Sequence, residues 1–183
     1  MSVEIIISIF GALAAAFKWI YEYSEKLKWD RNKFLLDELE KFHNLETTQN
    51  AEIILDWNGI NITFNNEKIF VNDEILFQAL QTHDEKNKFT VEEVKIRALF
   101  DDYFDNLTKL VFMCKSKILP EKNFRMFMKY WFNILSGRRK NKPKKVQEQI
   151  NRYLDFYGYE DLKNFIIYEK RNNFKLTKNR VAK

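Results

Sequence analysis

Three aspartates, Asp101, Asp102 and Asp105, crowd one short segment of the chain. Asp101 and Asp105 are four residues apart, so on a helix they share a face, a spacing at which carboxylates can hold a divalent ion or divide acid–base work. Arg97 lies four residues before Asp101, and Lys109 lies four after Asp105. Such pairs are ordinary on a solvated helix, and no further ligand set is visible, so a salt-bridged surface is expected here. The two histidines, His43 and His83, fall on a helix end and in a loop, without HExxH-like or other ligand spacing, and are expected to be exposed. Cys114 is the only cysteine, which rules out an internal disulfide and a cysteine-based zinc site. There is no P-loop, no GxGxxG and no GxSxG. No metal and no cofactor are expected.

The strongest charge block is Ser136 to Lys145, SGRRKNKPKK, with Arg138, Arg139, Lys140, Lys142, Lys144 and Lys145. Such a run can track the phosphates of RNA or of lipid headgroups. The aromatic residues that a single-strand stacking groove interleaves with its cations are absent from this loop. A solvated loop is the plain alternative.

These residues hang on a chain built mostly for helix. Gly and Pro are scarce (four and two residues) and charged helix formers abundant. Periodicity predicts a helix from Glu22 to His43 with an apolar stripe of Leu35, Leu36, Leu39 and Phe42. A break over Asn44 to Thr48 and a short helix over Gln49 to Trp57 follow, closed by Asn58-Gly59. Ile60, Ile62 and Phe64 alternate with polar residues. A turn at Asn65-Asn66-Glu67 and a return over Lys68 to Val71 make the one hairpin candidate. Asn72 suits the N-cap of a helix over Asp73 to Gln81, and His83 to Lys88 is a charged loop. Thr90 and Glu93 form a capping box that opens the longest periodic segment of the domain, to Lys117. Its apolar residues cover more than half its girth, so it is expected at the centre. Pro120 fits N1 of a helix through Leu135 that buries Phe124, Phe127, Met128, Trp131, Phe132 and Leu135. An amphipathic helix over Val146 to Tyr157, with Gly158 at its C′ position, and a last helix over Glu160 to Arg171 complete the set.

Val3 to Tyr23, VEIIISIFGALAAAFKWIYEY, differs from all the rest. Val3 to Ile20 is apolar apart from Glu4, Ser8 and Lys18. As a helix these positions span about 27 Å, just short of a ~30 Å hydrocarbon core. Lys18 can snorkel, and Trp19, Tyr21 and Tyr23 suit an interfacial aromatic belt. Lys18, Lys26, Lys28, Arg31 and Lys33 follow the run and no cation precedes it, which puts the remaining chain on the cytoplasmic side of the inner membrane. A secretory signal lacks its basic start here, since Glu4 stands there. A core helix of a soluble protein is the other rival. At 100° per residue Glu4, Ser8, Gly11, Ala15, Lys18 and Glu22 fall on one stripe, small or charged, against a greasy remainder. Small residues let helix backbones approach in a bilayer, and intramembrane polar groups face a bundle interior or a water-filled cavity. The stripe therefore reads either as a contact around a pore or as an incidental feature of a single anchor.

The organisation expected is an anchor or pore-lining helix over 1–23, a juxtamembrane helix over 24–44, a cytoplasmic helical domain over 45–172 and a basic tail over 173–183. With 183 residues and a net charge of +5, the chain is large enough for one well-packed domain and mildly suited to anionic partners.

A Gly/Ala-bearing N-terminal membrane helix, a Lys/Asn-rich helical domain of this size and the absence of an intact catalytic motif together resemble a known family. It is that of the small membrane accessory proteins found beside type VI-B, RNA-targeting CRISPR effectors. The likeness covers overall architecture and length. It implies a divergent version of the helical HEPN nuclease fold, whose intact motif is Arg, a polar residue often Asn, and a His four to six residues on. Arg171-Asn172 and Arg31-Asn32 match the first half, but no His follows either at that distance. The missing His removes the usual acid–base partner for RNA cleavage. The resemblance further implies a membrane pore that strengthens antiviral defence.

The fold class expected is thus mainly α: a transmembrane-like helix, then a helical bundle with one small β-hairpin. The function expected is a homo-oligomeric pore in the cytoplasmic membrane, with itself and membrane lipids as partners and an RNA-guided CRISPR effector or RNA as a further one. A tethered HEPN-type ribonuclease using Arg171 and Asn172, and a membrane-anchored module binding RNA or protein through the basic loop, are the alternatives.

Overall fold

The computed structural model describes the backbone of residues 3–64 and 66–167, and the side chains from residue 11 onward within those ranges. Arg171, Asn172 and the basic tail lie outside the described residues, as do the side chains of Glu4 and Ser8.

The chain is mainly helical, with one two-stranded antiparallel sheet. Helix α1 (Val3–Asn44) runs for 42 residues without interruption, because nothing in it breaks a helix: it has no Pro, and Gly11 is its one Gly. A bend at Leu45, not a five-residue break, separates it from α2 (Glu46–Asp56). Gly59, at φ +70°, takes the left-handed turn that a side chain resists, and leads into the hairpin. Strands β1 (Ile60–Phe64) and β2 (Glu67–Val71) pair in the register Ile62↔Ile69 and Phe64↔Glu67. Ile62, Phe64, Ile69 and Val71 form their buried face. The strand resumes one residue earlier than the turn predicted.

Asn72 caps α3 (Asp73–Ala79), its Oδ1 accepting from the Ile75 amide at 2.8 Å. The Thr90–Glu93 capping box opens α4 (Val91–Lys115) as expected, with both reciprocal bonds made. Helix α4 is the spine of the core: Leu99, Phe100, Tyr103, Phe104, Leu107 and Val111 are all fully buried. Leu35, Leu39 and Phe42 of α1 are buried too, but Leu36, a hundred degrees round the helix, is half exposed, so the stripe is narrower than predicted.

Pro120 precedes the next helix instead of occupying its first position, and the helix is two: α5 (Glu121–Phe127) and α6 (Lys129–Leu135). The kink is at Met128, whose ψ of 3° departs from the helical value. Met128, Phe124 and Phe132 all face inward, whereas Phe127 is 48% exposed and Trp131 only half-buried. Helix α7 (Lys144–Phe156) follows Pro143 and begins two residues before its predicted start at Val146, and α8 covers residues 160–167 of the described chain.

Candidate functional site

Among the described side chains of α1 the first core residue is Leu35, and about 48 Å of helix precedes it. From Gly11 to Arg31 every residue is exposed except the half-buried Ser24. The segment carries Leu13, Phe17, Trp19, Ile20, Tyr21, Tyr23, Leu27 and Trp29 with no part of the domain covering them. The first link from α1 to the far side of the domain is at Asn32, whose Oδ1 accepts from Asn123 Nδ2 at 2.6 Å. Among the described residues the arm's contacts are local: Trp19 stacks on Tyr23 with centroids 5.7 Å apart, and Lys18 Nζ lies 3.8 Å from Glu22 Oε1. Of the predicted stripe, Gly11, Ala15, Lys18 and Glu22 all point into open space, and a Cβ on Gly11 would meet nothing within 4 Å. Among the described residues no helix is long and apolar enough to cross a membrane, and the apolar run starts at Val3, in the part whose side chains are outside them.

The basic block is not one uniform patch. Lys142 is buried, its ammonium group donating to the Trp57 carbonyl at 2.6 Å and pairing with Asp73 at 2.7 Å. Lys145 pairs with Glu74, and Lys144 with Glu148 at 3.2 Å. Arg138 turns back to Asn133 Oδ1 at 3.2 Å. Arg139 lies over the Tyr130 ring, 4.4 Å from its centroid, and Lys140 is exposed with no ion pair among the described residues. Arg139, Lys140, Lys142 and Lys144 line a hollow of about 500 Å³ with Gly137, Pro143 and Gln147, and no carboxylate is in its wall. Gly137 has φ +70°, and a Cβ there would come within 2.9 Å of Gln147 Cγ, so the turn is both left-handed and tightly backed. Helix α7 starts at this hollow with no side-chain cap and no acidic residue in its first turn.

Sequence reasoning missed what lies beside it. Tyr130 and Trp131 of α6 meet edge to face at 4.9 Å, and Trp131 shares a second depression, of about 290 Å³, with Gln49, Glu52, Ile53, Asp56 and Trp57. Trp57 is 63% exposed. Asp56 ties the two hollows together by accepting from the Tyr130 hydroxyl and from Asn141 Nδ2, the latter at 2.6 Å. The aromatics absent from the basic loop arrive from α2 and α6, more than seventy residues away in the first case. The only sign of this in the sequence is that a Trp, Trp57, ends the predicted second helix.

The aspartates have other partners than predicted. Asp101 accepts from the Tyr153 hydroxyl at 2.6 Å and Asp105 from that of Tyr159 at 3.0 Å. Burial raises the pKa of Asp101, against the opposing pull of Tyr153 and Arg97. Arg97 instead donates to the carbonyls of Ala79 and Gln81, at 2.8 and 2.6 Å, and to the Tyr157 hydroxyl at 2.6 Å. Lys109 bonds Asn106 at 3.3 Å. No cluster among the described residues has the composition to hold a metal ion. His83, though exposed, is engaged, with Nδ1 2.5 Å from the Tyr157 hydroxyl; His43 is half-buried, with Nδ1 3.1 Å from Glu52 Oε1. Arg31 is exposed, and its neighbour Asn32 is occupied by Asn123, so nothing joins the Arg31-Asn32 pair to His43.

Comparison with protein-family models, curated proteins and solved structures finds no match to this chain.

Proposed function

We propose that this protein assembles with copies of itself in the cytoplasmic membrane, where the arm of α1 lines or gates a pore and the helical domains form a cytoplasmic ring. One observation carries the reading: a projecting helix whose large apolar side chains lie outside the core. Burial of apolar surface is worth roughly 25 cal/mol per Å², so such an arm is driven toward lipid or toward other arms. The apolar run from Val3 to Ile20, the aromatic residues that end it and the cations that follow it favour lipid, with the domain on the cytoplasmic side. The Gly11–Ala15 stripe favours close helix contact within it. The resemblance to the type VI-B CRISPR accessory proteins supports the same reading, and gives the pore a role in antiviral defence by permeabilising the membrane. The domain would then be a divergent HEPN-like bundle.

The test uses the full chain in detergent and in lipid vesicles. The wild-type protein should run as a multimer and release a trapped ion or dye. Gly11→Leu and Ala15→Leu should reduce release at least about tenfold while the domain stays folded. Unchanged flux and unchanged size in both variants, or a monomer that leaves vesicles sealed, would overturn the reading.

A further inference from the structure

We infer that the paired hollows on the α2–α6–α7 side form a binding site for single-stranded nucleic acid, with phosphate in the basic hollow and a base on the tryptophan shelf. The inference stands apart from the pore: it concerns the domain and needs nothing of the arm.

Two contacts join the walls of the two hollows. Arg139 lines the first and lies over Tyr130, which abuts Trp131 of the second. Lys142 lines the first and holds the carbonyl of Trp57, which lines the second. Lys142 is therefore a positioning residue: buried and paired with Asp73, it fixes the loop against the end of α2. That leaves Arg139 and Lys140 at the mouth for a ligand, with Lys144 beside them in an exposed pair with Glu148 that a phosphate can replace. Three cations without a carboxylate in the wall select an anion. Trp57, exposed, and Trp131, half-buried, offer faces on which a base can stack without sequence preference.

The charges also give the ligand a direction. Glu52 and Asp56 line the tryptophan depression and would repel a phosphate placed there. A strand must therefore set its backbone toward Arg139 and Lys140 and turn its base toward Trp57. Gln49 and Asp56 at the rim can meet the edge of that base. A lipid headgroup would use the cations but has no ring for the tryptophans. A duplex keeps its bases stacked on each other and could use only the cations.

The experiment is fluorescence anisotropy of the full chain in detergent with a short labelled oligoribonucleotide, its DNA counterpart and a duplex of the same length. Single strands should bind better than the duplex, and the RNA and DNA arms distinguish the two sugars. Lys140→Ala with Lys144→Ala should weaken binding and make the slope of log K against log salt shallower by about 1.4. Trp57→Ala should weaken it at least about fivefold, and Trp57→Phe should restore most of the loss. Trp57 is exposed, and an unchanged unfolding transition in its variants confirms that they fold. Equal binding of duplex and single strand, or full binding by Trp57→Ala, would overturn the site. So would binding of anionic over zwitterionic vesicles that depends on Lys140 and Lys144 while no oligonucleotide binds.

Discussion

Arg97 shows most clearly how residue types are reassigned by packing. The residue is 8% exposed, and its guanidinium group has no carboxylate within ion-pair distance among the described residues. It is satisfied by two carbonyls and a hydroxyl, and lies between the rings of Phe89, Tyr153 and Tyr157, 4.4 to 5.4 Å from their centroids. The i,i+4 spacing predicts an ion pair with Asp101 on a solvated face, but Asp101 is half-buried and accepts from Tyr153 of α7 instead. A helix-local rule cannot see a tyrosine fifty-two residues away. Replacing Arg97 with Met removes a buried charge, which is favourable, but strands the carbonyls of Ala79 and Gln81. The second effect should win: Arg97→Met is expected to destabilise the domain by about 2–4 kcal/mol, read from the midpoint of urea unfolding at constant slope. Little or no change in that midpoint would mean that ring contacts alone hold this corner.

At the scale of elements, the chain was most legible where a local signal is complete. The capping box of α4, the Asn72 cap of α3 and the alternation of the hairpin each satisfy their backbone within a few residues, and each forms where it was read. Signals that depend on neighbours misled. A hydrophobic period through Pro120 to Leu135 predicts one helix that buries Phe127 and Met128 alike, yet the helix breaks at Met128, and only Met128 of the two is buried. The α3–α4 loop was read only as charged, whereas it is a knot of hydrogen bonds around Glu85. Burial opposes ionisation of Glu85, but the Thr82 amide and hydroxyl, Gln149 and Arg152 more than offset it and hold its carboxyl at about 2, below the ordinary 4.5. A carboxyl depressed in the folded state stabilises above its unfolded pKa, and that contribution is lost as pH falls from about 4.5 toward about 2. Glu85→Gln should therefore be less stable than wild type at pH 7, with the gap closing across that window. Thermal unfolding of both proteins on either side of it checks this, and a gap that stays constant with pH would mean that packing, not charge, is the contribution of Glu85.

For the whole molecule, the decisive feature is the separation of core from arm. The core closes on Leu35, Leu39 and Phe42, so α1 is one helix with two environments. Sequence pattern separated residues 1–23 from the rest by hydropathy; the structure moves the change in surroundings to the early thirties, because exposure continues through Trp29 and ends only where Asn32 meets Asn123. This makes the two halves thermodynamically separable. Side chains that touch nothing in the folded domain contribute nothing to its unfolding free energy beyond the propensity of the helix itself. Deleting residues 1–23 should thus leave the domain's unfolding free energy within about 0.5 kcal/mol of the full chain's. It should also abolish multimer formation and vesicle release, since the same deletion removes the arm on which both are proposed to depend. Sedimentation and urea unfolding of the deleted chain, compared with the full chain in detergent, read the two effects separately. If the deleted chain remains a multimer, the domains associate by themselves and the arm is only an anchor. If instead its stability falls by several kcal/mol, the arm packs against the domain, and its exposure is not the state that carries the function.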